Sequence, residues 1–543
     1  METTAHNSSV PSPIMLIPPE LLIRIIQLYI SRYKELEEDY LPTPGTPTHC
    51  FITPGPYAWI RVTHVCQSWR DILLSCPMLW NDVVVTRHSE CIQAMVSRSQ
   101  QVPLNIRLSP SSGCFVPRPV PLKSLRFLLS EISRIQSLEL YINWWIFDDI
   151  SEKLREPAPL LRSLTLSTPN GVFDDGFSVN QPVLSLCSDD APVQLEDLSL
   201  SCYDFPWLKP SPFRSLKALR INNCGLYKPA VEDVAYGLQF MPHLATLALH
   251  DIFLPSSRDV TTLPHISVVI SLSALETLSL SGDSVACTAL LGCLDIPKNV
   301  SISLRYGGLD THLDSLSLCI PPLRSVLALS NTSPSTLALM RSQRGCNVFF
   351  PHTPISIEKT LLSIVTERSR LSIRMPSAIS NLERFCDHIA MQDIRRVWMS
   401  PMHKGIVDLR GVLAKLHVVV EVHLTGWLAP DVVELLSRTF QGSEAGYMGR
   451  VPSSSDNSHD LALPSMRILA LSQVQFGKTE GSRVMMGKAG SELVSSLRDA
   501  LELRKRRGVV IEKLILGDCV GVTPSDIQSL QDIVDVECRG PVI

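Results

Sequence analysis

The sequence lacks an excess of charge of either sign, and this narrows the choice of partners. Lysine and arginine number 49 against 53 aspartates and glutamates, so the formal net charge is −4. A nucleic acid or an anionic membrane surface would require a strongly basic protein face. We therefore expect no nucleic-acid and no membrane partner, and a partner recognised through shape.

The sequence also lacks the motifs of metal sites and of common catalytic centres. Its 15 cysteines form no CxxC pair, and HExxH, GxSxG and GxGxxG are missing. The segment near Gly477 fails as a phosphate loop because Ser472 stands where the first glycine is required. The sequence predicts a protein that is not an enzyme and that holds no metal and no cofactor.

No long apolar run is present near the start of the chain. The apolar residues from Ile14 to Ile30 are interrupted by proline and by charged side chains, which excludes a signal peptide or a membrane span there. We expect residues 1–13 to form a disordered leader and the cysteines to remain reduced thiols. These features favour the cytoplasm, the nucleus or both.

Two helices are predicted early in the chain. The first has apolar residues at three- and four-residue steps that define one face, namely Leu21, Leu22, Ile25, Ile26 and Tyr29. A loop is predicted over residues 31–56, which are acidic at first and then rich in proline, glycine and threonine. The second helix is predicted to begin near Tyr57.

The spacing within the second predicted helix separates two interpretations of its histidine and cysteines. Steps of 3, 4, 3 and 4 place one set of residues on a single helix face, namely Trp59, Val62, Cys66, Trp69 and Leu73. His64 lies two residues before Cys66 and would point elsewhere, which opposes a nucleophile and base pair. We predict that Cys66 is a small buried apolar residue and that Pro77 ends the helix.

A looser repeat begins near residue 130, with apolar residues in the pattern LxxLxL. Its copies start at Ile135, Leu161, Leu195, Leu216, Leu244, Leu275, Ile394, Val419, Met466 and Ile511. The pattern predicts strands that pair in parallel and bury their LxL residues in an α/β solenoid. Cys224 and Cys519 follow the strands, where a weak donor suits the turn backbone better than it suits a metal.

Other segments depart from the repeat. We expect distorted turns over residues 304–393, where the pattern fades, and a mobile insertion over residues 441–460. A helix is predicted from Ser491 to Arg507, with Gly508 as its stop. The basic run Arg504–Arg507 fits either a nuclear import patch or cations favoured by the helix dipole.

Residues 14–86 resemble an F-box domain. IPPELLIRII is similar to its first helix, and WIRVTHVCQSWRDILLSCPMLW to its second and third, with the C-x-x-W-R core and the terminal P-x-L-W. Followed by degenerate repeats over residues 87–543, the chain resembles the fungal F-box/leucine-rich-repeat proteins. The predicted fold class is α/β, a small helical F-box domain followed by an irregular leucine-rich-repeat solenoid with a parallel sheet. A 26-residue insertion, residues 31–56, is a departure from the family pattern.

The resemblance implies an adaptor of a cullin-RING ubiquitin ligase, in which the F-box docks on an SKP-type linker subunit and the repeats present an unidentified target protein. It places these residues in the F-box core or on its linker-binding surface: Ile17, Pro18, Leu21, Ile25, Val62, Cys66, Trp69, Leu73, Pro77, Leu79 and Trp80.

The strand positions beside the inward LxL pairs are predicted to face the concave surface of the repeats. They are Ser199, Ser201, Arg220, Asn222, Ala248, His250, Ser279 and Ser281. Either they bind the target or they form an ordinary solvated sheet. The alternative function is a scaffold outside any ligase, in which the F-box-like helices cap the open end of the solenoid.

Overall fold

A computed structural model describes most of the chain. The described residues are 17–39, 57–108, 121–168, 194–209, 213–223, 228–254, 268–297, 300–307, 336–342, 345–351, 369–375, 386, 393–399, 410–413, 415–426, 429–437, 461, 463–474, 476 and 490–539. Two compact units divide the chain, residues 1–227 (unit 1) and residues 228–543 (unit 2).

Unit 1 combines helices with parallel strands. Its α-helices are α1 (Pro19–Asp39), α2 (Gln67–Leu74), α3 (Ser89–Ser99), α4 (Leu122–Leu129) and α5 (Trp144–Leu154). Its 3-10 helices are η1 (Ala58–His64), η2 (Pro77–Leu79) and η3 (Ile132–Arg134). Its strands are β1 (Asp82–Val84), β2 (Leu104–Leu108), β3 (Ile135–Tyr141), β4 (Ser163–Ser167), β5 (Asp197–Ser201) and β6 (Ala218–Asn222).

Helix α1 is longer than the sequence predicted. It continues through residues 31–39, so the prediction of a loop over residues 31–56 was wrong for its first part. The segment SRYKELEED contains lysine, glutamate, leucine and arginine, which favour helix, and neither glycine nor proline. Residues 40–56 lie outside the described residues, as does the predicted leader, residues 1–13.

The strands of unit 1 pair in chain order, each parallel to the next from β1 to β6. Their alternate LxL residues are buried, for example Leu198 and Leu200 of β5, as a helix-covered parallel sheet requires. The α/β class with a parallel sheet is therefore confirmed.

One position of the repeat forms a hydrogen-bonded ladder at the strand entrances. Backbone N–H groups of Arg162, Glu196 and Lys217 each donate to the preceding repeat's carbonyl, on Gln136, Arg162 and Glu196. The carboxylate of Glu196 also accepts 2.7 Å hydrogen bonds from both the Arg162 and the Lys217 side chains. These hydrogen bonds, made just before each strand begins, fix the register of successive strands in addition to the hydrogen bonds between the strands.

Unit 2 has the same alternation of elements. Its helices are α6 (Val231–Leu238), α7 (Ser284–Cys293), α8 (Arg410–Leu413), α9 (Ala429–Ser437), α10 (Gly490–Arg506) and α11 (Pro524–Gln531). Its strands are β7 (Thr246–His250), β8 (Ile270–Ser271), β9 (Thr277–Asp283), β10 (Leu294–Asp295), β11 (Ser301–Gly307), β12 (Thr336–Ser342), β13 (Gly345–Pro351), β14 (Ser369–Met375), β15 (Arg396–Met399), β16 (Glu421–Thr425), β17 (Ile468–Ser472), β18 (Lys513–Gly517) and β19 (Asp535–Arg539).

The sheet of unit 2 contains one reversal. β7, β9, β11 and β14 pair in parallel, and so do β12 and the strands from β15 to β19. Between these two runs lies β13, antiparallel to both β12 and β14. Within residues 304–393, where distorted turns and only weak copies of the repeat were predicted, the structure describes the strands β12, β13 and β14, and the weak copy RLSIRM at Arg370 lies on β14. The predicted insertion, residues 441–460, lies outside the described residues.

Several strands of unit 2 end at a residue in the left-handed region. Asp251, Gln473 and Asp518 have φ between 48° and 54°, and each donates its N–H to a backbone carbonyl of the neighbouring strand. Just beyond Asp518, the buried Cys519 thiol donates to the Leu471 carbonyl at 3.5 Å. The predicted role of Cys519 as a weak donor in the turn is confirmed, whereas Cys224 lies outside the described residues.

Helix α10 ends where the sequence predicted, at Gly508, whose φ of 77° permits the turn. The basic run at this end is not uniformly exposed, because Arg504 is fully buried. Its guanidinium donates 2.8 Å and 3.5 Å hydrogen bonds to the carbonyls of Leu463 and Leu436. Arg504 is therefore a structural residue and cannot serve in an import patch in this fold.

Candidate functional site

The stretch from Val62 to Trp80 does not form the continuous helix that its spacing predicted. η1 ends at His64, and the chain then extends at Cys66, with φ −157° and ψ 168°. The Cys66 sulfur accepts the N–H of Trp69 at 3.4 Å, which makes it the N-cap of α2. A cap satisfies an N–H that a helix start leaves without an intrahelical partner, so the break is stabilised locally.

The break separates residues that were expected on one face. Trp59 and Leu73 are buried, whereas Val62, Cys66 and Trp69 are half-buried and His64 is exposed. The prediction that Cys66 is a buried apolar residue was wrong, because its sulfur is needed at the helix start.

The buried centre of this region is Trp80. Its indole N–H donates to the Leu73 carbonyl at 2.9 Å, and its ring lies 5.1 Å from that of Trp59. The Arg98 guanidinium sits 4.5 Å from the centre of the Trp80 ring, a cation–π distance. Leu73, Leu79 and Trp80 are thus core residues, and Pro77 is half-buried.

Some apolar residues of helix α1 are buried and others are exposed to solvent. Leu22 and Ile26 are buried, at 1% and 4% exposure, in a helix that contacts α2. Leu21, Ile25 and Leu28 are exposed at 57%, 51% and 56%; these three form what we call the α1 ridge. The single apolar face predicted from the sequence is therefore wrong: one part packs and another meets solvent.

Exposed apolar side chains also flank α2. Val65, just before the helix, is exposed at 59%, and Met78 in η2 at 53%. At the start of α1, Pro18 is exposed and Ile17 is half-buried. Large exposed apolar groups that recur along one helix are typical of a surface that a partner covers.

The strand-face residues predicted to bind a target fall into two groups, one in each unit. In unit 1, Ser199 lies opposite Arg220, and Ser201 opposite Asn222; the serines are half-buried and the other two exposed. Arg220 approaches the Asp197 carboxylate at 3.8 Å. This group is polar and nearly neutral in charge.

In unit 2, Ala248 lies opposite Ser279, and His250 opposite Ser281. The His250 Nε2 and the Ser279 hydroxyl are 2.8 Å apart and hydrogen-bonded. Burial lowers the pKa of His250, repulsion from Arg305 lowers it further, and the Asp251 carboxylate opposes both. The pKa of the imidazole thus lies below its ordinary value, and Ser281 beside it is buried.

Comparison with protein-family models finds no match to the chain, and comparison with curated proteins finds none either. The geometry of the described residues must therefore support any functional proposal.

Two features were not found in the described part of the chain: a metal-binding cluster and a helix able to span a membrane. It contains no cluster of three or more histidine, cysteine, aspartate or glutamate side chains that could hold a metal ion. Among its helices, none combines the length and the apolar character needed to cross a membrane.

Two residues of these surfaces were missed by sequence reasoning. The Tyr57 hydroxyl donates to the Val84 carbonyl at 2.7 Å and accepts the Val84 N–H at 2.8 Å, a long-range pairing that no local pattern encodes. Arg305 on β11 was not predicted as a strand-face residue, because the LxxLxL pattern fades from residue 304 onward. The alternation in SISLRY, with Ile302 and Leu304 buried, was the available signal.

Proposed function

We propose that the chain is a non-catalytic substrate-recognition adaptor of an SKP-cullin-F-box ubiquitin ligase. In this proposal the helical region of residues 14–86 docks on the SKP-type linker subunit, and the strands that follow form an irregular leucine-rich-repeat solenoid that binds a target protein. Such an adaptor would act in the cytoplasm, the nucleus or both.

The α1 ridge is the observation that carries the proposal. Leu21, Ile25 and Leu28 lie at steps of four and three residues, so they form one stripe along the helix. Exposing them costs free energy that burial against a partner would recover, at about 25 cal/mol per Å² of apolar surface. Linker docking by the family that the sequence resembles would cover such a stripe.

The buried residues beneath the ridge support the same proposal. Leu22 and Ile26 anchor α1, while Trp59 and Trp80 pack together within the region. A ridge held on a packed base presents its side chains without a large ordering cost on binding.

Co-purification of the full chain with an SKP-type linker subunit tests the docking step. We expect the unaltered chain to retain the linker, and Leu21→Asp or Ile25→Asp to lose it, because each buries a carboxylate in an apolar interface. Ser31→Asp is the matched control: it adds the same charge on α1 at an exposed position about 90° round the helix from the middle of the α1 ridge, and it should retain the linker.

Two results would reject the adaptor. One is that the unaltered chain fails to co-purify with the linker. The other is that Leu21→Asp retains as much linker as Ser31→Asp does.

A second function, the scaffold capped by its own helices, is favoured by Tyr57. Its hydroxyl satisfies both the N–H and the carbonyl of Val84 in β1, whose only sheet partner among the described strands is β2. Burial raises the pKa of the Tyr57 phenol well above its ordinary value, so the hydroxyl remains a donor.

Truncation separates the two functions. A cap predicts that a chain lacking residues 1–86 aggregates, because the strand beneath is uncovered. An adaptor with a detachable docking region predicts that the remainder stays soluble and still binds the target.

A further inference from the structure

One basic side chain on the strand face of unit 2 differs from the other described ones in its ion pairing. Arg305 is exposed and makes no hydrogen bond or ion pair with any residue in the described part of the chain. The other basic strand residues of unit 2 with described side chains are in ion pairs, Arg396 with Glu421 and both Lys513 and Arg539 with Glu537. Arg305 is therefore the one such cation left available to an outside anion.

Register places Arg305 in a row that crosses neighbouring strands. It lies opposite Ser281 of β9, which in turn lies opposite His250 of β7. On its other side, β11 pairs with β14. We call His250, Ser281 and Arg305 the Arg305 row.

Hydroxyl groups line the same strand face beside the row. Ser303 is exposed two positions before Arg305 and pairs in register with Ser279. One step further along, Thr277 donates to the Thr246 hydroxyl at 3.0 Å. Hydroxyls donate readily to carboxylate and phosphate oxygens, so this face offers donors around a cation.

Among the described residues, Asp283 and Asp251 carry carboxylates close to the row. Asp283 accepts the Ala286 N–H at 2.9 Å as the cap of α7. Asp251 lies beside Gly282, yet at His250 the repulsion from Arg305 outweighs the attraction of Asp251.

We propose that the Arg305 row binds an anionic segment of the target protein, one that carries carboxylate or phosphate side chains in an extended conformation. Arg305 pairs with one anionic group, and the exposed Ser303 hydroxyl donates to its neighbour. The role of this segment as a ligase target rests on the proposed function. A nucleic acid fits less well, because its binding needs many phosphate contacts and the chain has a net charge of −4.

Peptide titration of the full chain tests the proposal by fluorescence anisotropy. The probes are three labelled octapeptides, built from four repeats of Gly-phosphoSer, Gly-Glu or Gly-Ser. We expect the phosphorylated or the glutamate peptide to bind and the serine peptide not to bind. Arg305→Gln should weaken that binding about tenfold, as loss of a charged hydrogen-bonded contact does.

Arg467→Gln is the matched control. Arg467 is also an exposed arginine of unit 2, directly before β17, but it is ion-paired with Glu512 and lies outside the predicted strand-face set, so its substitution should leave the affinity unchanged. Binding of the phosphopeptide alone would identify a phosphorylated segment, and binding of both peptides an acidic one. Binding competed by inorganic phosphate would support the same contact.

Three results would overturn the inference: no binding of either anionic peptide, equal loss in Arg305→Gln and Arg467→Gln, or no loss in Arg305→Gln. Titration involves no linker subunit and no residue of the α1 ridge. A failed co-purification with intact peptide binding would therefore reject the adaptor alone, and the converse would reject the anionic segment alone.

Discussion

The indole N–H of Trp80 donates a 2.9 Å hydrogen bond to the backbone carbonyl of Leu73. Leu73 belongs to the last turn of α2, whose final carbonyls lack intrahelical donors. The bond therefore closes the helix end and fixes the direction in which the chain enters η2.

Replacing this indole should destabilise unit 1. Trp80→Phe removes one donor to the Leu73 carbonyl, which also accepts the Cys76 N–H at 3.4 Å, and leaves unfilled volume beside Trp59. We expect a loss of about 2–4 kcal/mol of stability, seen as a lower midpoint in thermal unfolding followed by tryptophan fluorescence. Met78→Ala, a truncation of an exposed neighbour, serves as control and should shift the midpoint little; equal shifts would contradict the role assigned to Trp80.

The buried guanidinium of Arg504 gives a second test, in unit 2. Its pKa is lowered to about 10 by burial, which still leaves it charged at neutral pH. Arg504→Met keeps most of the side-chain length but deprives the Leu463 and Leu436 carbonyls of donors, so we expect a loss of about 1–3 kcal/mol. Arg506→Met removes an exposed ion pair with Glu502 and should cost under about 0.5 kcal/mol. A neutral or stabilising Arg504→Met would show that desolvation of the charge outweighs its hydrogen bonds.

The last part of β9 depends on glycine. Gly282 has φ 121°, and a Cβ there would lie 3.2 Å from the Asp251 Cα. Gly282→Ala should destabilise unit 2 by about 1–3 kcal/mol. Gly508→Ala provides the comparison, because its φ is 77° but nothing lies within 4 Å of the added carbon; its cost should be smaller, about 1 kcal/mol. Denaturant midpoints measure both, and a larger cost at Gly508 would contradict the close approach to Asp251.

The carboxylate of Glu421 should make unit 2 sensitive to acid. A 2.6 Å hydrogen bond from His423, with a further contribution from Arg396, holds the pKa of Glu421 below its ordinary value of 4.5. A lowered folded-state pKa means that these bonds stabilise the fold fully above about pH 4.5 and are lost as the pH falls through the folded pKa.

Glu421→Gln should therefore lower the melting temperature at neutral pH, and the gap to the unaltered chain should narrow in acid. Glu512→Gln, which breaks the exposed pair with Arg467, is the control and should have a smaller effect at every pH. A constant gap between Glu421→Gln and the unaltered chain would contradict the linkage.

Much of the fold could be predicted from the sequence because its signals are local. The LxxLxL pattern located strands such as β5 and β6, since alternate apolar residues must be buried together in a sheet. The position of Gly508 marked the end of α10 for a similar reason: only a residue tolerant of the left-handed region ends a helix in this way.

The prediction of one helix over Trp59–Leu73 was wrong, because the spacing of apolar residues does not show whether a helix is continuous. Steps of three and four residues are compatible with one helix or with two shorter ones, and the cap at Cys66 decided between them. The same limit applies to α1, where Leu21 and Leu22 are equally apolar in sequence but differ in exposure.

The sequence alone determined the α/β class, the parallel strands and the chemical character of each surface, because residue type and period act over short distances. Tertiary structure decided which apolar residues of α1 remain exposed, that Arg504 is buried, and that Arg305, beside His250 and Ser281, lies without an acidic partner among the described residues. These properties depend on which side chains meet across distant segments. Burial and the pairing of charges are fixed only when those segments pack.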